Sequence, residues 1–145
     1  MIRSEKELTT KIADCTTSFD AKFAGTNGKR AIVICGGTGC LSSNSASILA
    51  KFEEAIMAHD LSDKVTVNKV GCFGFCSQGP FVKIFPEDTL YHGVKVEDVE
   101  EIVNTDLINH QIVERLLYVD PMTKEKIQKQ DEINFYKKQK RVALH

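Results

Sequence analysis

Apolar residues recur at helical spacing near the start of the chain. Leu8, Ile12, Cys15, Phe19 and Phe23 follow one another at steps of four, three, four and four, sharing one face of a helix predicted over residues 4–24. Ser4 with Glu7 three residues on forms a capping box, and Gly25, Asn27 and Gly28 supply the stop. Cys15 lies on the apolar stripe and reads as a buried small hydrophobe. The pattern then changes to AIVIC, a continuous apolar run that suits a strand covered on both faces.

After the loop GGTGC, Ser42, Ser43 and Asn44 offer N-caps for a helix reaching His59, with Ile48, Leu49, Phe52, Ala55 and Ile56 as its apolar stripe. A polar turn leads into VTVNKV, where Val65 and Val67 alternate with polar residues. The unit therefore closes as βαβ with a parallel pair. Beyond Gly79-Pro80, FVKIF and TLYHGV flank Pro86-Glu87-Asp88 and predict an antiparallel hairpin. Glu97 to Leu107 form a last helix, its inner side Val99, Ile102, Val103 and Leu107. Acidic residues stand in its first turn, where the helix dipole favours them.

The predicted class is α/β: βαβ followed by ββα around a mixed sheet, with an added N-terminal helix and an extended C-terminal tail. The domain limits are 1–28 for the helix, 29–110 for the sheet domain and 111–145 for the tail. That tail is rich in Lys, Gln and Glu from Met122 to Lys140, and is expected to be poorly packed.

Composition narrows the function classes. With 145 residues, 42% hydrophobic and 27% charged, and a formal net charge of -1, the chain has the make-up of one soluble domain with no bias toward nucleic acid or anionic lipid. No stretch approaches the roughly 20 apolar residues of a membrane span, and MIRSEKELTTK lacks the apolar core of a secretory signal. A cytoplasmic location follows as an expectation. Five cysteines then favour metal or redox chemistry over a disulfide framework.

Four of those cysteines form two pairs, each directly after an apolar run: Cys35 and Cys40 in ICGGTGC, Cys72 and Cys76 in VGCFGFCSQGP. Thiolate is the soft ligand shared by zinc, copper(I) and iron-sulfur clusters. Structural zinc sites draw on tighter C-x2-C knuckles, whereas C-x4-C and C-x3-C separated by a crossover suit two halves of a [2Fe-2S] core. Gly36, Gly37, Gly39 and Gly74 would let backbone N–H groups approach the sulfurs, and Phe73 and Phe75 would shield them from water. A zinc-stabilised structural domain stays open at this point. A C-x-x-C redox pair is absent, and GGTG lacks the Lys-Ser/Thr of a phosphate loop. His59, His92, His110 and His145 stand singly and read as surface or capping residues. The carboxylates show no acid-base pairing, and no catalytic residue is assigned.

ICGGTGCLSSNS, KVGCFGFCSQGPFVKIFPEDTLYHGV and EDVEEIV resemble a thioredoxin-like [2Fe-2S] ferredoxin domain. VERLLYVDP followed by INFYKKQKRVAL resembles the N-terminal region of the flavoprotein subunit of NAD(P)-linked [FeFe]-hydrogenases, related to the NADH-binding subunit of respiratory complex I. The resemblance implies a thioredoxin-like fold and a [2Fe-2S] cluster ligated by Cys35, Cys40, Cys72 and Cys76. It also implies one-electron transfer toward a flavin and NAD(P)H-binding partner and other iron-sulfur subunits, and a cis-proline at Pro80. Such proteins continue into a flavin-binding domain. Here no nucleotide fingerprint is present, so hydride chemistry is not assigned, and the chain reads either as a piece of such a flavoprotein, with the tail a linker toward a missing flavin domain, or as a small separate subunit that docks on one. A docking module with its cluster off the electron path is the alternative function. A homodimer, through the helix bearing Phe19 and Phe23, is compatible with the pattern.

Overall fold

The computed structural model describes residues 4–23 and 28–140. Its centre is strand β1 (Arg30–Cys35), buried at every position, as an uninterrupted apolar run demands. On one side it pairs in parallel with β2 (Val65–Val70), in a register that sets Arg30 opposite Val65 and Cys35 opposite Val70. On its other side it pairs antiparallel with β3 (Val82–Phe85), which turns at Asp88 (φ 61°) into β4 (Thr89–Tyr91). The sheet order is β2-β1-β3-β4. Both the βαβ unit and the hairpin are as the alternation of apolar positions predicts.

One face of the sheet carries Ile32, Ile34, Val82 and Ile84 and packs against helix α3 (Ser45–Ala58) through Ile48, Phe52, Ala55 and Ile56. Alongside lies the last helical run. It opens as a tight turn, continues as α4 (Val99–Ile102) and widens over Val103–Ile108, burying Val99, Ile102, Val103 and Leu107 as predicted. The opposite face, near one end of the sheet, carries Phe81 and Leu90 together with Cys35 and Cys40.

Arg30 and Asp106 are buried and pair with each other. Arg30, at the start of β1, donates from Nη1 to the Asp106 carbonyl at 2.6 Å and from Nη2 to Asp106 Oδ1 at 2.5 Å and Glu87 Oε2 at 2.9 Å. The Tyr91 hydroxyl donates to Asp106 Oδ2 and accepts from the Val113 N–H at 3.1 Å. Burial, and then that bond to Asp106, hold the Tyr91 phenol far above its ordinary range. The network ties the start of β1, the end of β4 and the last helical run together.

Three expectations are corrected. Helix α1 (Glu5–Phe23) forms, with Glu7 N–H on Ser4 Oγ at 3.2 Å, but its stripe faces outward: Leu8, Ile12 and Phe19 are exposed. Cys15 is likewise exposed rather than buried. The helix meets the sheet domain where Phe23 lies against Phe85, ring centroids 5.3 Å apart. The predicted stop residues Gly25 and Asn27 lie outside the described residues.

The second correction concerns GGTGC. It is not all loop, since Thr38–Ser42 coil into a short helix, α2, after an extended Gly37, and Cys40 sits within it. Asn44, left-handed at φ 65°, then redirects the chain into α3. Third, the segment from residue 111 is extended but well packed. Strands β5 (Tyr118–Val119) and β6 (Lys126–Ile127) pair with each other, and Tyr118, Ile133 and Tyr136 are buried. Its few apolar side chains are spaced without a period, so pattern reading undervalues them, yet Leu116, Leu117, Tyr118, Ile133 and Tyr136 are buried while Val119 and Met122 stay exposed.

Candidate metal centre

Parallel pairing decides where the cysteines meet. Because β1 and β2 run the same way in register, the chains leaving Cys35 and Val70 emerge at one end of the sheet. The Gly36 N–H donates to the Val70 carbonyl at 2.8 Å and keeps them together. Antiparallel β3 begins at that same end, and the Cys35 N–H donates to the Phe81 carbonyl at 3.1 Å. Gly79-Pro80, just before it, is cis as the resemblance implies, and so is Phe85-Pro86. Three stretches therefore converge: residues 35–40, 71–76 and 79–81.

Glycine makes the convergence possible. A Cβ on Gly37 would stand 2.9 Å from Cys72 Cβ and 3.1 Å from its Sγ, and one on Gly79 would stand 2.7 Å from Cys40 Sγ. These contacts also show that the two pairs interleave: the first loop lies against Cys72 and Cys76, and the third stretch against Cys40. The Cys72 and Cys76 sulfurs are 3.5 Å apart. Two thiolates about 2.3 Å from one tetrahedral metal ion would stand roughly 3.8 Å apart, so this pair is already near a chelating geometry. Among the described residues no three His, Cys, Asp or Glu side chains gather as ligands of one ion; the thiols are arrayed as pairs.

The two pairs differ in environment. Cys35 and Cys40 are buried, while Cys72 and Cys76 are exposed. Burial, reinforced by the neighbouring Cys35, pushes the Cys40 thiol up to about 11. At Cys72 the Gly74 N–H donates to Sγ at 3.2 Å and lowers the thiol below its ordinary value, with the Cys76 contact acting the same way. Cys76, the other partner of that contact, is raised by it. A buried, proton-holding thiol becomes a thiolate when a cation binds it, because the cation supplies the missing positive charge. Four soft donors in two pairs, with glycines where sulfur needs room, fit a [2Fe-2S] core.

The predicted shielding by Phe73 and Phe75 is half of what the structure shows. Phe75 lies among four rings: Phe81 from the sheet domain and Tyr118, Phe135 and Tyr136 from the C-terminal segment, with Phe135 stacked on it at 4.7 Å. Phe73 lies 5.8 Å from Phe81. The last three rings on Phe75 escaped sequence reading. The aromatic residues within the polar tail, at 118, 135 and 136, were the available signal. His59 closes α3 and lies 3.3 Å from Glu100, His92 is half-buried beside the Tyr118 ring and lowered by burial, and His110 is exposed. His145 lies outside the described residues.

Comparison with known proteins agrees with this geometry. Residues 8–106 match the family model described as thioredoxin-like [2Fe-2S] ferredoxin. The chain is 48% identical over 77 residues to a protein named ferredoxin, 2Fe-2S, of Clostridium pasteurianum, covering 53% of this chain and 76% of that protein. It is 34% identical over 79 residues to one of the same name from Aquifex aeolicus, covering 54% and 71%. The solved thioredoxin-like [2Fe-2S] ferredoxin from Aquifex aeolicus superposes with a TM-score of 0.57 at 30% identity, covering 61% of this chain and 88% of that one.

Proposed function

The chain belongs to the thioredoxin-like [2Fe-2S] ferredoxin family, and from that premise we propose that Cys35, Cys40, Cys72 and Cys76 hold its cluster, two thiolates to each iron. As a ferredoxin it transfers electrons through the [2Fe-2S] group, which takes up and releases one electron at a time. The observation that carries the ligand assignment is the meeting of the two thiol pairs at one end of the sheet, interleaved through Gly37 and Gly79. The protein's own part is mechanical and electrostatic. Glycines admit the sulfurs, the Gly74 N–H lends a hydrogen bond to Cys72, and the aromatic group around Phe75 lowers the dielectric beside the site.

We further propose that the electrons pass within an NAD(P)-dependent hydrogenase or dehydrogenase complex, between a flavin site and other iron-sulfur subunits. The tail sequences VERLLYVDP and INFYKKQKRVAL support this reading. Among the described residues no helix is long and apolar enough to cross a membrane. Substituting Cys72 by Ala within such a complex tests the assignment. NAD(P)H-coupled electron flow stops if the cluster is on the path, and continues if the domain serves docking alone. Self-association through the exposed stripe of α1 is part of the same proposal. Sedimentation at two concentrations, with Phe19→Glu as the comparison, reports it.

A further inference from the structure

The loop that carries Cys72 and Cys76 meets the sheet domain at the Phe81 ring, at the first cysteine loop and through the Gly93 N–H on the Gln78 carbonyl at 3.0 Å. Short-range bonds shape it: Gly74 N–H to Cys72 Sγ, and Gln78 N–H to the Phe75 carbonyl at 3.0 Å. Gly74 in the middle is left-handed at φ 85° with open space around it. The C-terminal segment adds a second set of contacts from a distance. The Tyr136 hydroxyl donates to the Phe73 carbonyl at 3.0 Å, and the rings of Tyr118, Phe135 and Tyr136 surround Phe75.

That segment is itself fixed to the sheet. It runs along β4, the open edge, where the Leu90 N–H donates to the Gln128 carbonyl at 2.9 Å and the His92 N–H to the Leu116 carbonyl at 3.0 Å. Asp120 closes the turn between β5 and β6 by accepting from the Met122 N–H at 2.8 Å and the Thr123 N–H at 3.2 Å. Its other oxygen accepts from Asn134 Nδ2 at 2.7 Å, at the foot of α5 (Asn134–Lys137), the single turn that presents Phe135 and Tyr136. The segment thus has a sheet-bound base, a braced turn and an aromatic tip.

We propose that residues 116–137, which lie beyond the 8–106 span of the family match, form a clasp that holds the Cys72–Cys76 loop in its ligating shape. The clasp acts through Tyr136 and Phe135 as positioning residues and touches no sulfur ligand chemistry directly. Release of iron from the exposed pair requires the loop to open, and the clasp sets how often it does so. The inference rests on the reading of the four cysteines as ligands, and its tests separate the two.

In the metal-free full-length chain, hydrogen exchange of the amides at 71–78 reads the clasp alone. Tyr136→Phe, which deletes only the hydroxyl, should speed that exchange about 5-fold, the usual worth of one hydrogen bond expressed as a rate. Tyr136→Ala should speed it by about 150-fold or more, as loss of a packed aromatic ring does, while amides of β1 keep their protection. In the iron-loaded chain, release to a ferrous chelator should accelerate in the same order. The midpoint potential and visible circular dichroism should shift for Phe135→Ala. Lys126→Gln, which breaks only the exposed pair with Glu114 in the same segment, should leave all readouts unchanged. Unchanged exchange at 71–78 in Tyr136→Ala, with β1 still protected, overturns the clasp. A colourless, iron-free preparation that nonetheless shows faster exchange in Tyr136→Ala overturns the ligand reading and leaves the clasp standing.

Discussion

Gly79 is no ligand, yet its replacement by Ala should cost the chain its cluster. Its backbone, φ -73° and ψ 171°, is one that alanine adopts freely before a proline, so no conformational strain is introduced. The obstacle is steric. The new methyl would stand 2.7 Å from Cys40 Sγ, against ordinary contacts of about 3.5–4.0 Å, so something must move by roughly 1 Å. Cys40 cannot retreat, because it is fully buried beside Phe81 and its helix is joined directly to the first cysteine loop. Overpacking of this kind costs about 1–3 kcal/mol, and since it falls on a ligand it weakens retention of the metal by roughly 5- to 150-fold.

Gly71→Ala is the matched comparison. Gly71 precedes Cys72 directly, but its added methyl meets nothing within 4 Å and its φ is not positive. The assay is anaerobic purification followed by iron and sulfide analysis and the rate of iron transfer to a chelator. Gly79→Ala should arrive depleted and lose iron faster, with Gly71→Ala indistinguishable from the unaltered chain. Equal retention in both variants, or equal loss, would refute the argument from Cβ space.

Other outcomes follow from the same geometry. Alanine at Cys35, Cys40, Cys72 or Cys76 should abolish stoichiometric iron and sulfide, whereas Cys15→Ala should leave both intact, as the exposed position on α1 implies. Asp106→Ala removes the partner of buried Arg30 and of the Tyr91 hydroxyl, and should lower unfolding free energy by about 3–5 kcal/mol in urea titration. The iron content of the folded fraction should not change, because a six-residue strand, about 17 Å, separates Arg30 from Cys35. The Asp120 carboxyl is held below its ordinary 3.8 by the Met122 and Thr123 N–H groups, so it stabilises the fold above that value and loses its contribution as pH falls through the lowered one. Urea midpoints of the metal-free chain between pH 5 and pH 3 should therefore fall less steeply in Asp120→Asn.

The sheet was legible because its signal is dense. AIVIC has no polar position and suits a covered strand, and Cys35 closes that strand while Cys72 follows the end of β2. The same reading missed Arg30 and Asp106, since a charge at a strand start or on a helix looks solvated unless its partner, 76 residues away, is known. It misplaced Cys15 for a related reason: periodicity identifies the apolar face of a helix but not whether anything lies opposite it. The clasp was hidden by composition. A segment dominated by Lys, Gln and Glu resembles a solvated tail, and three aromatic side chains decide otherwise only once Phe75 stands within their reach.

The central claim is that Cys35, Cys40, Cys72 and Cys76 together hold one [2Fe-2S] cluster. Metal and acid-labile sulfide analysis of the anaerobically purified chain, joined to electron paramagnetic resonance before and after reduction by dithionite, tests it most directly. About two irons and two sulfides per chain, a silent oxidised state and a one-electron signal on reduction are the expected result. A colourless protein carrying stoichiometric zinc would contradict it.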